Sequence, residues 1–438
     1  MVTSRREPLS TEPYKGVRDL YPYDMQVQSF IFEIMRRTVM QYGYAEYGAS
    51  LLEPTELYLA KTSEEIVTEQ TYSFRDRGDR EVTLRPEMTP TVARMIAARK
   101  RELAFPLRWF SIVNVFRYER PQRGRLREHW QLNVDIFGSS RADADEEVLV
   151  LTHRLMTAFG AADSDFTIYL NSRKLYLALM QAYGLSDTET RAFQGIRDRR
   201  EKISDEQFKR EALSLTGNKL TVADIESLGK ASLDFFLNHA NDNVRRAAEE
   251  IANLAKKLAE RGVSVRFDFD LERGFDYYTG IVFEVFDTNP MNKRSIFGGG
   301  RYDNLLDIFD AGEMPAVGFG LGDVTLRDFL ETHNLLPPPK PSADLYLCRP
   351  DSEKSDYVHA LAAKMRELGL RVAVDLSGKS IGDQIKFADK HGVRHIAVIG
   401  TVELKKGSFT VRELVSGTET TIPESNLDQI LEIVKQAQ

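Results

Sequence analysis

Apolar and polar positions alternate with a period of two along Trp109 to Tyr118 (WFSIVNVFRY) and again from Trp130 to Ile136, and that period predicts two strands. In the first, Val113, Val115 and Arg117 share a face, so a cation closes an otherwise apolar row. In the second, Trp130, Leu132, Val134 and Ile136 form a core face, while Gln131, Asn133 and Asp135 form a line of hydrogen-bonding groups. An ordinary antiparallel hairpin with one wet face accounts for such a line. The loop between the strands changes the picture. Glu119 to Glu128 carries Arg120, Arg123, Arg125 and Arg127 against two glutamates, with Gly124 to let the chain bend. That is more cation than a turn requires. Guanidinium forks suit phosphates, and a carboxylate beside amides suits an amine or a polar ring. The pattern suggests a phosphate-bearing substrate next to a small zwitterion.

Elsewhere the period shifts. From about Asp24 to Tyr42, Ile31, Ile34, Met35 and Thr38 recur at helical spacing, and Gly43 ends the run. GYAEYGASLLEPTELY reads as strand into turn, with Pro54 blocking further ladder pairing. Tyr72 to Arg85 reads as a hairpin turning near Gly78-Asp79. It delivers LRPEMTPTVARMIAAR, where Thr89 is expected to cap a helix that has Pro90 in its first turn. Glu87, just ahead, reads on the residues alone as a helix-dipole partner.

A helix is predicted over Ala142 to Ala158 and a strand over FTIYLNS. Arg173 to about Arg261 is charged and helix-rich, without a strand pattern. Alternation returns from Val265 to Leu271, breaks at Arg273-Gly274, and gives way to an apolar strand from Ile281 to Phe286. IFGGGRYDNLL sets three glycines at a strand end, which fits either a tight turn or a close approach to the backbone. PPPKP, Pro337 to Pro341, reads as a stiff linker. The alternating strands and helices beyond it predict a small α/β domain with a mixed sheet, by itself no more specific than a ligand-binding module.

The 438 residues allow two or three domains, and 42% apolar with 29% charged residues is a globular composition. The polar N-terminus has no signal-peptide core and no later run approaches the ~20 apolar residues of a membrane span, so a cytoplasmic chain is expected. The single cysteine, Cys348, excludes an intrachain disulfide and a multi-cysteine zinc site; it reads as a small buried hydrophobe. A net charge of −7 argues against a nucleic-acid partner only weakly, because local basic surface decides and the arginine loop is one.

FRYERPQRGRLREHWQ resembles motif 2 of class II aminoacyl-tRNA synthetases, in the form found in histidyl-tRNA synthetases. The early helix and strand ending at Pro54 resemble motif 1. RGFDYYTG (Arg273 to Gly280) and GGGRYD (Gly298 to Asp303) resemble the two histidine-specific signatures, and IGDQIKFADKHGVRHIAVIG resembles the anticodon-binding domain of the synthetases for histidine, glycine, threonine and proline. The resemblance implies an α+β fold: a class II antiparallel sheet flanked by helices (1–172 and 262–336), a helical insertion (173–261), a linker (337–341) and a C-terminal α/β anticodon-binding domain (342–438), working as a homodimer. It also implies histidine activation by ATP, accompanied by Mg²⁺, and transfer to the 3′ end of tRNA(His), with no metal site built by the protein.

Residue by residue, Arg117 and Arg273 would be the catalytic cations, Arg117 bridging the histidine carboxylate and the α-phosphate. Arg125 would sit near the β- and γ-phosphates and Glu119 near the adenine. Glu87, Thr89, Gln131 and Tyr277 would surround the amino acid, and Asp135 and Tyr278 would read the imidazole; the family often has glutamate where this chain has Asp135. Arg120, Gln122 and Arg123 would meet the acceptor end of the tRNA. One departure stands out. Motif 3 fits at Gly318, Gly320 and Gly322, yet its arginine position is Thr325, and Arg327, two residues on, faces another way on a helix. That departure favours two rivals: a catalytically silent class II paralogue regulating ATP phosphoribosyltransferase in histidine biosynthesis, or a pure RNA-binding module.

Overall fold

The two alternating runs become the long neighbouring strands of an eight-stranded sheet. The computed structural model describes residues 9–59, 70–197, 200, 203–217, 219–228, 231–271, 278–350 and 355–436. The chain divides into two units, 1–337 and 338–438. In the first, the strands are β1 (Ala45–Glu46), β2 (Leu52–Pro54), β3 (Tyr72–Arg75), β4 (Glu81–Leu84), β5 (Leu107–Phe116), β6 (Glu128–Phe137), β7 (Phe166–Ser172), β8 (Val265–Phe267), β9 (Ile281–Asp287), β10 (Ser295–Arg301) and β11 (Ala316–Gly322). The main sheet runs β1-β5-β6-β11-β10-β9-β7-β8, antiparallel except at its two edge pairs, β1 with β5 and β7 with β8. Strands β2, β4 and β3 make a small separate sheet whose hairpin turns through Asp79 in the left-handed region.

Helices cover one face of the main sheet. The Pro22–Met40 helix buries Val27, Ile31, Ile34, Met35 and Val39, and the Ala142–Ala158 helix buries Val148, Leu149, Leu151 and Leu155, into one apolar core with Leu132, Val134 and Ile136 of β6. The period-two reading of β6 thus holds on its apolar side. Between Arg173 and Glu260 the described residues form six helices and no strand. Leu175, Leu179, Phe236 and Leu258 join the same core as the sheet.

Four local expectations are corrected. The first long strand ends at Phe116, not Tyr118, because the Tyr118 amide leaves the ladder to donate to the carbonyl of Gln70 at 2.7 Å. Thr89 does not cap its helix: Met88 holds the cap position, and Thr89 and Pro90 lie inside the first turn. The run from Val265 stops at Phe267, where the chain turns and the Leu271 amide bonds back to Asp268. The three glycines sit within β10, paired on both sides, and do not end it.

The second unit has a five-stranded mixed sheet: β12 (Leu345–Cys348), β13 (Val372–Val374), β14 (His395–Val398), β15 (Ser408–Glu413) and β16 (Glu419–Pro423), in the order β13-β12-β14-β15-β16. The first three are parallel, and β15 is antiparallel to both its neighbours. Ser380 caps the Ile381–Lys390 helix by accepting from the Asp383 amide. Cys348 is fully buried in this unit, and burial pushes its thiol up to about 12, the inert hydrophobe its pattern predicts.

Candidate active site

The sheet face turned away from the large helix-covered core carries the polar row. There β6, β11 and β10 lie side by side, with Asp135 opposite Gly318 and Gly318 opposite Gly300, then Asn133 opposite Gly320 and Gly320 opposite Gly298. A row of hydrogen-bonding side chains therefore borders two rows of glycines. The reason is steric: a Cβ on Gly318 would collide with the Asp135 carboxylate, and one on Gly320 with the Gln131 amide. The polar side chains lean across the glycines, and substrate-sized space remains above them.

That space is a cavity of about 160 Å³. Asp135, Asn133 and Gln131 line one side, Gly298, Gly318 and Gly320 the floor, and Glu87, Thr89, Arg117, Tyr278 and Tyr302 the rest. The polar face of β6 is thus not the solvated face of an ordinary hairpin: Asn133 and Asp135 are buried. Arg117 follows directly on β5 and donates through Nε to the carbonyl of Pro86 at 2.9 Å. That bond fixes the segment carrying Glu87, itself only 2% exposed. Arg85 is buried as a structural tie, donating to the backbone of Asn114 at 2.8 Å and Ala49 at 3.0 Å.

Two observations mark the cavity as built for a polar guest. Gln131 Oε1 is buried with no hydrogen-bond partner among the described residues, which costs about 1–3 kcal/mol unless a ligand donates to it. Asp135 accepts a hydrogen bond from the Tyr302 hydroxyl, yet burial, the larger effect, pushes its carboxyl up to about 7. A donor from a ligand would hold that carboxylate ionised. His129, one residue beyond the start of β6, is held neutral: burial, then the charges of Arg117, Arg18 and Arg125, push it down to about 3.

Of the expected residues, Glu87, Thr89, Arg117, Gln131, Asp135 and Tyr278 meet at this cavity. Arg273 and Tyr277 lie outside the described residues. Glu119 and Arg125 do not line it; they pair with each other at 2.6 Å on the loop. Arg120, Gln122 and Arg123 stand exposed on the same loop, and Arg123 leans on Asn292 at 3.1 Å. Arg127 is spent on structure, its guanidinium 3.9 Å from the centre of the Tyr118 ring and bonded to the Tyr14 hydroxyl at 3.0 Å. Asn133 and Tyr302 were absent from the expected site, although Asn133 belongs to the polar row and Tyr302 to the GGGRYD string. Among the described residues no three His, Cys, Asp or Glu side chains are grouped to hold a metal ion.

The first helical turn after β11 is tied to the site by Asp323, which is 1% exposed. It accepts from the Trp130 amide at 2.8 Å and pairs with Arg18. Thr325 Oγ1 donates to the carbonyl of Ile296 at 2.6 Å, and Arg327 turns away to Asp24 at 2.7 Å and Glu331 at 3.0 Å.

Residues 16–324 match the family model for histidyl-tRNA synthetase, and residues 343–435 the model for an anticodon-binding domain. A histidine–tRNA ligase of Leptospira biflexa is 41% identical over 95% of this chain and 96% of its own length. One of Thermoplasma volcanium is 36% identical over 97% and 99%. The crystal structure of histidyl-tRNA synthetase from Nostoc sp. PCC 7120 superposes with a TM-score of 0.79 at 22% identity, covering 97% of this chain and all of that one, a likeness of fold.

Proposed function

Because the chain belongs to the histidyl-tRNA synthetase family, we propose that the cavity above the glycine floor is its histidine site. The chain is a class II aminoacyl-tRNA synthetase that joins histidine to tRNA at the expense of ATP. In the first step a histidine carboxylate oxygen attacks the α-phosphorus of ATP, the new P–O bond replaces the one to pyrophosphate, and pyrophosphate leaves. In the second, a ribose hydroxyl at the tRNA 3′ end attacks the acyl carbon, AMP leaves, and the hydroxyl proton is lost. Both steps ask chiefly for stabilisation of negative charge.

The observation that carries the assignment is the pairing of Asp135 with the unsatisfied Gln131 Oε1 over a floor without side chains. Glu87, Thr89 and Gln131 receive the α-ammonium. Asp135, with Tyr278 opposite, accepts from the imidazole N–H, and Tyr277 joins the residues that surround the amino acid. Any side chain lacking such a donor leaves buried polar groups unpaired, which is the basis of specificity. Arg117 bridges the carboxylate and the α-phosphate, with Arg273 as the second cation. Arg125 and Glu119 exchange their mutual ion pair for the triphosphate and the adenine, and Mg²⁺ enters with ATP, held mainly by phosphates and water. Arg120, Gln122 and Arg123 meet the tRNA acceptor end. The exposed face of the Pro22–Met40 helix, with Met40, forms a homodimer contact, and the enzyme works in the cytoplasm.

Thr325 is the feature that favours a regulatory paralogue. The near full-length identity to ligases and the matched anticodon-binding domain weigh against that reading. Histidine-dependent exchange of labelled pyrophosphate into ATP decides: exchange that needs histidine and collapses in Arg117→Ala supports the assignment. A folded chain that binds histidine but exchanges nothing would be the regulatory protein.

A further inference from the structure

Thr325 leaves a question of charge. The side chain at the motif 3 position is short, neutral and bonded to the backbone of β10, and the nearby Arg327 is committed to Asp24 and Glu331. The first carries no charge, and the charge of the second is already paired. Beside Thr325, however, lies a second cavity of about 190 Å³. Ile296 of β10 lines it, two residues ahead of Gly298 at the floor of the first cavity.

Three cationic side chains border this second cavity, Arg123, Lys293 and Arg294, against one carboxylate, Asp328. They are not equivalent. Arg123 is half exposed and rests on Asn292 at 3.1 Å and Asp328 at 4.0 Å, and Lys293 is exposed. Arg294 is half-buried just ahead of β10, where a guanidinium acts through a lower dielectric and can meet phosphate oxygens in pairs. Its Cδ lies 3.2 Å, and the Thr325 methyl 3.4 Å, from the point that a Cβ on Gly124 would occupy. Both side chains therefore border the space beside Gly124, which lies in the left-handed region at φ 73°.

We propose that Arg294 supplies, from just ahead of β10, the cation that the family's motif 3 carries on the helix after β11, and that it binds the polyphosphate tail of ATP in the cavity between Thr325 and the arginine loop. The inference rests on reading the chain as an ATP-dependent amino-acid-activating enzyme.

The test uses the full chain. In histidine-dependent pyrophosphate exchange, Arg294→Ala raises the KM for ATP by about tenfold or more, the loss of a charge-assisted contact, and leaves the KM for histidine unchanged. Arg294→Gln, which keeps the side chain's bulk, behaves the same way. Adding Thr325→Arg to Arg294→Ala recovers most of the ATP affinity, because the new guanidinium enters the same space from the helix. Calorimetric titration with ATP and with adenosine gives a readout independent of turnover: Arg294→Ala weakens ATP and spares adenosine. An unchanged ATP KM and affinity in Arg294→Ala overturns the proposal, as does equal weakening of adenosine, or a Thr325→Arg that rescues nothing. If the unaltered chain shows no exchange but binds ATP through Arg294, the activating reading fails while the phosphate site stands.

Discussion

Asp135 and Gly318 sit opposite each other on neighbouring strands, and the carboxylate of the one occupies the space in which the other would carry a side chain. The glycine is what permits a buried acid to lie flat over the sheet. Gly318→Ala is therefore expected to push Asp135 out of position, at a cost of about 1–3 kcal/mol. In pyrophosphate exchange the KM for histidine should rise by one to two orders of magnitude, roughly, with the KM for ATP little changed. A histidine KM equal to that of the unaltered chain would mean that Asp135 does not touch the amino acid.

Asp135 also sets a pH dependence of stability. Burial pushes it up to about 7, whereas the unfolded chain titrates the group near ~4. Across that window the folded protein still holds a proton that the unfolded chain has released. Stability contributed by this group is thus complete below the window and falls as pH rises through it. Asp135→Asn cannot ionise, so it is expected to melt higher than the unaltered chain above about pH 7, by the equivalent of about 2–4 kcal/mol, with the gain fading below about pH 4. Scanning calorimetry of both proteins across the range checks this. A variant that melts lower at alkaline pH would contradict it. Histidine-dependent exchange should nevertheless collapse in Asp135→Asn.

Tyr302 donates its hydroxyl to Asp135 and, among the described residues, is the contact that pulls this carboxyl downward. In Tyr302→Phe the pH below which the histidine KM climbs should move upward. At neutral pH histidine should bind about five- to tenfold more weakly, the worth of one hydrogen bond to a charged group. A pH profile superimposable on that of the unaltered chain would leave Tyr302 as packing only.

Arg18 and Asp323 tie the N-terminal segment to the first turn of the helix that follows β11. Removing Arg18 leaves a carboxylate that is 1% exposed without its ion pair, though it still accepts from the Trp130 amide. Arg18→Ala is expected to destabilise by about 3 kcal/mol and lower the melting temperature by several degrees, and Arg18→Ala with Asp323→Asn should recover part of the loss. An additive double variant would show that the pair does not interact.

Much of the main unit was legible in the chain because its signals are local. The alternation at β6 placed a core face and a polar row, the 142–158 helix and the 166–172 strand follow directly from apolar period, and Gly43 and Gly78-Asp79 marked turns, whereas Pro54, expected to block ladder pairing, pairs with Val82. Where local signals compete, tertiary context overrides them. Thr89 has capping chemistry, but the chain enters its helix one residue earlier, through Met88. Three glycines look like a strand's end, yet pairing with β9 and β11 on both sides holds them inside one.

The sequence by itself determined the kinds of side chain available: a row of amide and carboxylate groups, a cationic loop, glycines at alternate positions, and a threonine where the family has arginine. Only the tertiary structure decided how they are combined. Strand order, which no local period encodes, sets β11 and β10 beside β6, so that residues some 160 to 190 positions apart share one floor. The same pairing turns the polar row from a wet face into a buried site, and brings Arg294 to Thr325. Contacts at that separation depend on register and on what each glycine leaves empty, and both are properties of the assembled sheet.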